Sequence, residues 1–240
     1  MKLEWLLPAV FLIVFCSISL VADPLYTVTI QPIQVCDDSG NHCADSTQQL
    51  FEAAGDKIWA QASIDLVFLP WVTLDNTSLL SLSVSGPGNG FSLLETTPAA
   101  FGGSTDPTVL DMWFVNHFTS GTLGEGALFS PFTAIADPVF TDHGGVGDMD
   151  AMAHEIGHNL GLVHVNPSND LMNAVTNAPL SLADIYPDGL GKDKLEPNEI
   201  VTAQSSPYVI PVAQAVPEPA TLTLLGCGLV GLVGRRRRDR

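Results

Sequence analysis

Eleven residues, His154 to His164, combine the side chains and the spacing that allow a protein to bind a metal ion and use it. They read H-E-I-G-H-N-L-G-L-V-H. On an α-helix, His154 and His158 lie about one turn apart on the same face, so two neutral imidazoles can bind one Zn²⁺. Glu155 is rotated about 100° from the first histidine, where its carboxylate can reach a water on the metal. This pattern predicts a zinc site that activates water.

A glycine one turn beyond His158 predicts where that helix ends. Gly161 can take a positive φ without steric cost, so the chain can reverse there and bring His164 back as a third ligand. Three protein ligands leave a fourth position for water, which is typical of catalytic rather than structural zinc. The alternative is a helix whose histidines bind only surface water, and the added glycine and third histidine argue against it.

These residues resemble the motif H-E-x-x-H-x-x-G-x-x-H of the metzincin zinc endopeptidases, in which a methionine-containing turn follows. Residues 169–173 read N-D-L-M-N and place Met172 where that turn is expected. The resemblance implies that Met172 forms an apolar floor under the zinc, and an ordinary core methionine is the alternative. Several metzincin families have a metal-site tyrosine where this chain has Ala174, and Val165 matches no common subgroup. The resemblance therefore indicates the clan and not the subfamily.

The resemblance extends over about residues 25–208 and is strongest at 109–172. It implies an α/β (α+β) fold with a twisted mixed sheet, a zinc-binding active-site helix and a small C-terminal subdomain. It also implies a secreted zinc-dependent endopeptidase that acts on protein or peptide substrates, with one catalytic Zn²⁺ and Glu155 as general base. The alternative is a non-catalytic zinc-binding surface or matrix protein, which would not need Glu155. A zinc hydrolase of non-peptide amides or matrix polymers is a third interpretation.

The N-terminus has the pattern of a secretory signal peptide at residues 1–22. Lys2 precedes a stretch at 5–21 that is almost wholly apolar, and Ala22 offers a small residue for cleavage. An uncleaved membrane anchor is the alternative.

Residues 216–240 resemble a PEP-CTERM sorting tail. V-P-E-P is followed by an apolar span at 220–234 and an arginine cluster at 235–238. Such tails are recognised by an exosortase-type sorting enzyme, so the resemblance implies export in a Gram-negative bacterium. The protein would reach the periplasm, cell surface or extracellular matrix and would be held at the membrane through this transmembrane tail until it is processed. A plain tail anchor is the alternative.

The segment between these ends is predicted to be one catalytic domain at 23–208, followed by a linker at 209–215. Its upper part runs to about residue 161 and its lower part covers 162–208. Residues 23–215 contain three basic and 23 acidic residues, a net charge of −20. A surface this acidic repels nucleic acid and anionic membrane. Calcium binding is a further prediction, with the loop at 188–193 as the candidate and a solvated turn as the alternative.

Two cysteines, Cys36 and Cys43, belong to the predicted domain. An exported protein meets an oxidising compartment, so we expect them to form a disulfide rather than a zinc site. The other histidines are predicted to lie outside the metal site: His42 and His143 in surface loops, and His117 at the end of an apolar strand.

Periodicity and turn residues predict the order of the elements. Strands are expected at 25–35, with Pro32 at an edge or a bend, and at 64–72, within 79–84, at 109–118 and at 127–135; helices at 46–62, 148–160 and 196–205; and loops through most of 81–108 and around 143–145. The metzincin resemblance makes 127–135 the rim strand of a substrate cleft and 173–180 the border of an S1′ pocket.

Overall fold

The structure, a computed structural model, describes residues 24–84, 90–174 and 179–213. The predicted signal peptide, the last two residues of the predicted linker and the sorting tail lie outside the described residues. Within them, no helix is long and apolar enough to cross a membrane.

The predicted fold class is confirmed: a central, mostly parallel sheet combines with several helices. The strands are β1 (Tyr26–Cys36), β2 (Ile64–Phe68), β3 (Val72–Asp75), β4 (Ser81–Leu82), β5 (Val109–Val115), β6 (His117–Phe118), β7 (Gly124–Gly126), β8 (Phe132–Ala136) and β9 (Ile210–Pro211). The helices are α1 (Glu52–Trp59), α2 (Gly90–Thr96), α3 (Pro138–Gly145), α4 (Ala151–Asn159) and α5 (Pro197–Gln204).

The main sheet has the order β2-β1-β5-β8-β7, and β7 is its antiparallel edge strand. All seven residues of β5 are buried, because helices cover the sheet on both sides. The α4 side chain of Asn159 reaches one face, where it accepts a hydrogen bond from Thr133 of β8. On the other face, the Phe91 ring of α2 packs edge-on against Phe132, with 4.4 Å between the ring centroids.

The edge position predicted for Pro32 is wrong, because β1 has partner strands on both sides. Pro32 lies in the interior of the sheet, paired with Met112 of β5 on one side. On the other side, β1 pairs first with β2 and then with β3, and Pro32 lies opposite the break between them. The carbonyl of Ile30 points to that side, where it accepts a hydrogen bond from the N–H of Leu69. Backbone groups two residues apart point the same way, so the N–H that Pro32 lacks would have pointed into the break.

The strand expected at 127–135 is confirmed only at 132–135, because residues 127–131 form a turn. The chain forms the edge strand β7 at Gly124–Gly126, turns, and returns as β8 at Phe132–Ala136. The turn has a backbone hydrogen bond from Ser130 to Ala127, and Phe129 takes a left-handed φ of 54°. The rim of the sheet is therefore a three-residue strand of Gly, Glu and Gly, which has no β-branched residue to mark it.

Helix boundaries also differ from the sequence predictions. The helix expected at 46–62 begins only at Glu52, because Phe51 has a left-handed φ of 44° that stops it from extending backwards. The expected loops at 81–108 and around 143–145 include α2 and α3. Within α3, the left-handed residues His143 and Gly144 interrupt the helical geometry, so the glycine-rich end is irregular as the sequence indicates.

Candidate metal centre

Helix α4 is almost entirely buried, which fixes the side chains that it carries. Its residues are buried except for His158, which is half-buried at the cleft. The Asn159 amide donates hydrogen bonds to the carbonyls of Phe132 (2.7 Å) and Ala127 (3.2 Å), one on β8 and one in the β7–β8 turn. The helix is thus attached to the sheet by hydrogen bonds as well as by packing.

Gly161 ends the helix in the conformation that the sequence predicts. It has a φ of 95°. Its N–H donates to the backbone carbonyl of His158, and the N–H of Leu162 donates to the carbonyl of Gly157. This pair of bonds is a Schellman motif, which satisfies carbonyls at the helix end. A Cβ atom at Gly161 would also lie only 2.1 Å from the ring of Phe129. The backbone conformation therefore favours glycine here, while a larger residue would also have to displace the exposed ring of Phe129.

The three histidines of the motif converge at one point. The Nε2 atom of His164 lies 3.2 Å from Nε2 of His154 and 3.1 Å from Nε2 of His158. Nitrogens bound tetrahedrally to zinc at 2.0–2.1 Å would lie about 3.3 Å apart, so these residues fit that ion. Among the described residues, they are the one group of three histidine, cysteine or acidic side chains whose ligand atoms lie within 4.8 Å of one another.

Backbone carbonyls orient two of these rings. His154 Nδ1–H donates to the Leu171 carbonyl at 2.7 Å, and His158 Nδ1–H donates to the Leu162 carbonyl at 2.9 Å. A carbonyl can only accept, so the proton is on Nδ1 and the Nε2 lone pair faces the point of convergence. Burial lowers the pKa of His154 to about 4 and also lowers the pKa of His158. Both rings are therefore neutral near pH 7, as metal binding requires.

The side chain of Glu155 lies between its own helix, α4, and the edge strand β7. Its carboxylate accepts a hydrogen bond from the backbone N–H of Gly126, and burial raises its pKa to about 8. A Cβ atom at Gly124 would lie 2.8 Å from Glu155 Oε1, and one at Gly126 would lie 2.3 Å from the Glu155 carbonyl. Two glycines in β7 thus let the strand lie directly on the helix that carries His154 and His158.

Met172 is fully buried next to the helix. Its sulfur would lie 2.5 Å from a Cβ atom at Gly157, so the thioether packs against α4 at the residue directly before His158. The N–H of Met172 donates to Asp170 at 2.8 Å, and its carbonyl accepts from Val165 at 2.9 Å. The turn is therefore joined directly to the segment that carries the third histidine.

A cavity of about 550 Å³ opens over the histidines. Its lining consists of Thr122, Leu123, Gly124, Glu125, Gly126, Ala151, His154, Glu155, His158, His164, Asn173 and Ala174. Sequence reasoning missed the contribution of β7, although the alternation Gly-Glu-Gly was a signal for a strand that approaches another element closely. Of the expected S1′ border, Asn173 and Ala174 reach the cavity, while residues 175–178 lie outside the described residues.

The other candidate residues do not join the metal group. His117 Nε2 lies 2.9 Å from the Ser81 hydroxyl, His143 Nδ1 lies 2.9 Å from Asp148, and His42 Nδ1 lies 2.7 Å from Asp37. Cys36 and Cys43 form a disulfide at the end of β1.

In the candidate calcium loop, Asp188 forms an ion pair with Lys57 at 2.7 Å, and Asp193 is fully buried. The N–H of Gly191 donates to the Asp188 carbonyl at 2.9 Å, which closes a turn. Calcium binding here stays a prediction.

Comparison with known proteins identifies the C-terminal tail. Residues 215–238 match the PEP-CTERM protein-sorting motif. This motif indicates export and sorting to the cell envelope of a Gram-negative bacterium and implies recognition by an exosortase. The transmembrane part of the expected tail lies outside the described residues. No curated protein matches the sequence.

Several solved structures are similar to the chain at low sequence identity. One belongs to a chaperone–substrate complex (14% identity, TM-score 0.47), with 77% of this chain covered; the chain spans 34% of that one. Another is archaemetzincin from Archaeoglobus fulgidus (16% identity, TM-score 0.34), with 61% of this chain and 85% of that chain covered. A third is a zinc-dependent peptidase from Methanocorpusculum labreanum (strain Z) (11% identity, TM-score 0.42), with 72% of this chain and 99% of that chain covered.

Proposed function

We propose that this protein is an exported zinc-dependent endopeptidase of the metzincin type. The observation that carries the proposal is the convergence of His154, His158 and His164 with Glu155 beside them in a cavity. Three imidazoles would hold one Zn²⁺, which when bound supplies Lewis acidity, acidifying water and polarising a carbonyl group. A carboxylate at this position is not needed for binding metal alone, so it favours catalysis over a purely zinc-holding role.

Glu155 is the group that moves the proton. As general base it takes a proton from the attacking water, and as general acid it delivers that proton to the leaving amine. Its raised pKa, near 8 without metal, makes it a competent proton donor in the second step. The divalent charge of a bound ion would favour the carboxylate form needed for the first step.

The edge strand β7 provides a place for an extended substrate. The N–H of Ala136 donates to the Leu123 carbonyl, and the N–H of Ala127 donates to the Phe132 carbonyl. Backbone groups alternate in direction along a strand, so those of Glu125, which pairs with Ala134, also point towards β8. The backbone groups of Gly124 and Gly126 consequently point away from β8. The Gly126 N–H is bound by Glu155, and the remaining groups can pair with a peptide as an added strand.

Metal content and proteolysis of the purified chain test the proposal together. We expect about one zinc per chain and hydrolysis of casein or gelatin that a chelator abolishes. Glu155→Ala should keep the zinc and lower proteolysis by roughly 10²–10⁴-fold, because only the proton transfer is lost. His154→Ala is the matched control that should lose both.

The outcomes separate the alternatives. Absence of bound zinc, or full proteolysis by Glu155→Ala, would contradict the proposal. Stoichiometric zinc without hydrolysis of any protein would instead support a zinc-holding surface protein displayed through the sorting tail.

A further inference from the structure

One carboxylate in the cavity takes no part in the proposed proton transfer. Glu125 is the middle residue of β7 and lines the cavity. The missing side chains of Gly124 and Gly126 face α4, so the alternation of a strand places the Glu125 side chain on the opposite, upper side of the rim. It is half-buried there and does not belong to the group of metal-ligating side chains.

The charge of Glu125 is nevertheless close to the reacting groups. His164 stabilises its carboxylate electrostatically, and Glu125 in turn contributes to the raised pKa of Glu155. Burial raises the pKa of Glu125 itself. A ligand that reaches the metal centre along β7 must therefore pass this partly desolvated carboxyl group.

No lysine or arginine of the described residues forms an ion pair with Glu125. Between residues 24 and 213 the only lysines and arginines are Lys57, Lys192 and Lys194. Lys57 pairs with Asp188 and Lys194 with Glu196, each at 2.7 Å, while the charge of Lys192 acts on the buried Asp150. Among the described residues that line the cavity there is no lysine or arginine.

We propose that Glu125 is a specificity residue that binds a cationic side chain, arginine or lysine, of a peptide lying along β7. The inference rests on the proposed peptidase function and names the substrate class for that same cleft. A guanidinium or ammonium group of the peptide supplies the positive charge that no lysine or arginine of the described cavity lining provides, in a charge-assisted hydrogen bond. The net charge of −20 over residues 23–215 would steer such peptides towards the protein.

Binding to the zinc-loaded Glu155→Ala protein, which should hold peptides without cutting them, tests the proposal directly. One arginine is moved through successive positions of an otherwise neutral peptide, and each peptide is compared with its citrulline counterpart, which keeps the shape and removes the charge. At one position we expect the arginine peptide to bind about three- to fivefold more tightly than its citrulline counterpart, as for a partly exposed ion pair. The added change Glu125→Gln should reduce that ratio to near one.

A matched control removes the same charge elsewhere. Glu52→Gln alters an exposed residue of α1 outside the cavity lining and should leave the arginine preference intact. A preference that survives Glu125→Gln, one that Glu52→Gln removes equally, or none at any position would overturn the inference. Failure of the proposed function is seen separately, as the absence of proteolysis by the wild-type chain, because the binding ratio does not depend on turnover.

Discussion

Glu155 is the residue whose chemistry conflicts most with its surroundings. It is 9% exposed, held between α4 and β7, and receives one backbone hydrogen bond from Gly126. Ionising a carboxyl group in so dry a place costs free energy, which is why its pKa is raised to about 8. A residue that destabilises the fold and lies beside three imidazoles placed to hold a metal ion is best explained by function.

That conflict predicts a pH-dependent gain in stability when the charge is removed. In metal-free protein the folded state keeps the Glu155 proton up to about pH 8, whereas the unfolded state loses it near 4.5. Stability is therefore lost as the pH rises through this window, and Glu155→Gln escapes the loss. We expect the variant to have a higher Tm than the wild type at pH 9 and little or no advantage at pH 4, where Glu155 is protonated in both states.

Thermal unfolding of the chelator-treated proteins across that pH range measures this difference. A Tm difference that stays constant with pH would contradict the burial argument. Proteolysis should be lost at every pH, so the variant gains stability at the expense of activity.

At the level of elements, helix α4 could be predicted from sequence far better than the strand that lies on it. His154, Glu155, His158 and Gly161 fix a helix and its end by local spacing and glycine chemistry alone. The strand β7 has only three residues, two of them glycine, and becomes a strand because it pairs with β8 and packs on α4. Its role depends on contacts between distant segments, which local propensity does not contain.

The same reasoning explains the interior proline of β1 and the late start of α1. Pro32 is tolerated because the break between β2 and β3 lies opposite it. Helix α1 begins only after Phe51, because that residue has a left-handed φ. The place of Pro32 is thus decided by the neighbouring strands rather than by the residue itself.

Termination of α4 gives a prediction that belongs to this scale. Gly161→Ala forces a side chain into a φ of 95° and against the ring of Phe129. We expect a loss of roughly 1–3 kcal/mol in the free energy of unfolding. Because the reversal positions His164, zinc affinity should also fall, by roughly ten- to hundredfold as when the support of a metal ligand is removed.

Competition with a chromophoric chelator measures that affinity. Phe129→Ala is the control, since it removes the ring but leaves the glycine, and it should bind zinc nearly as well as the wild type. In the double variant the clash is relieved while the strained φ remains, so affinity should recover only in part. Wild-type affinity in Gly161→Ala would show that His164 does not depend on this turn.

The whole molecule is dominated by negative charge. Residues 23–215 contain 23 acidic and three basic residues, so most carboxylates have no basic partner to offset their mutual repulsion. Several of them are also buried, among them Asp148, Asp150 and Asp193. An exported protein experiences the salt of its surroundings directly, and its stability should therefore depend on ionic strength.

We expect the Tm to rise when sodium chloride is increased from about 0.01 to 1 M, because the screening length falls from about 30 to 3 Å. Self-repulsion acts in the compact state more than in the expanded unfolded chain, so screening favours folding. Calcium chloride at matched ionic strength is the control: an additional rise would indicate a bound ion, and Asp188→Asn would locate it at the 188–193 loop. A Tm that is insensitive to salt would mean that the carboxylates are protonated or compensated in the folded state, contrary to this account.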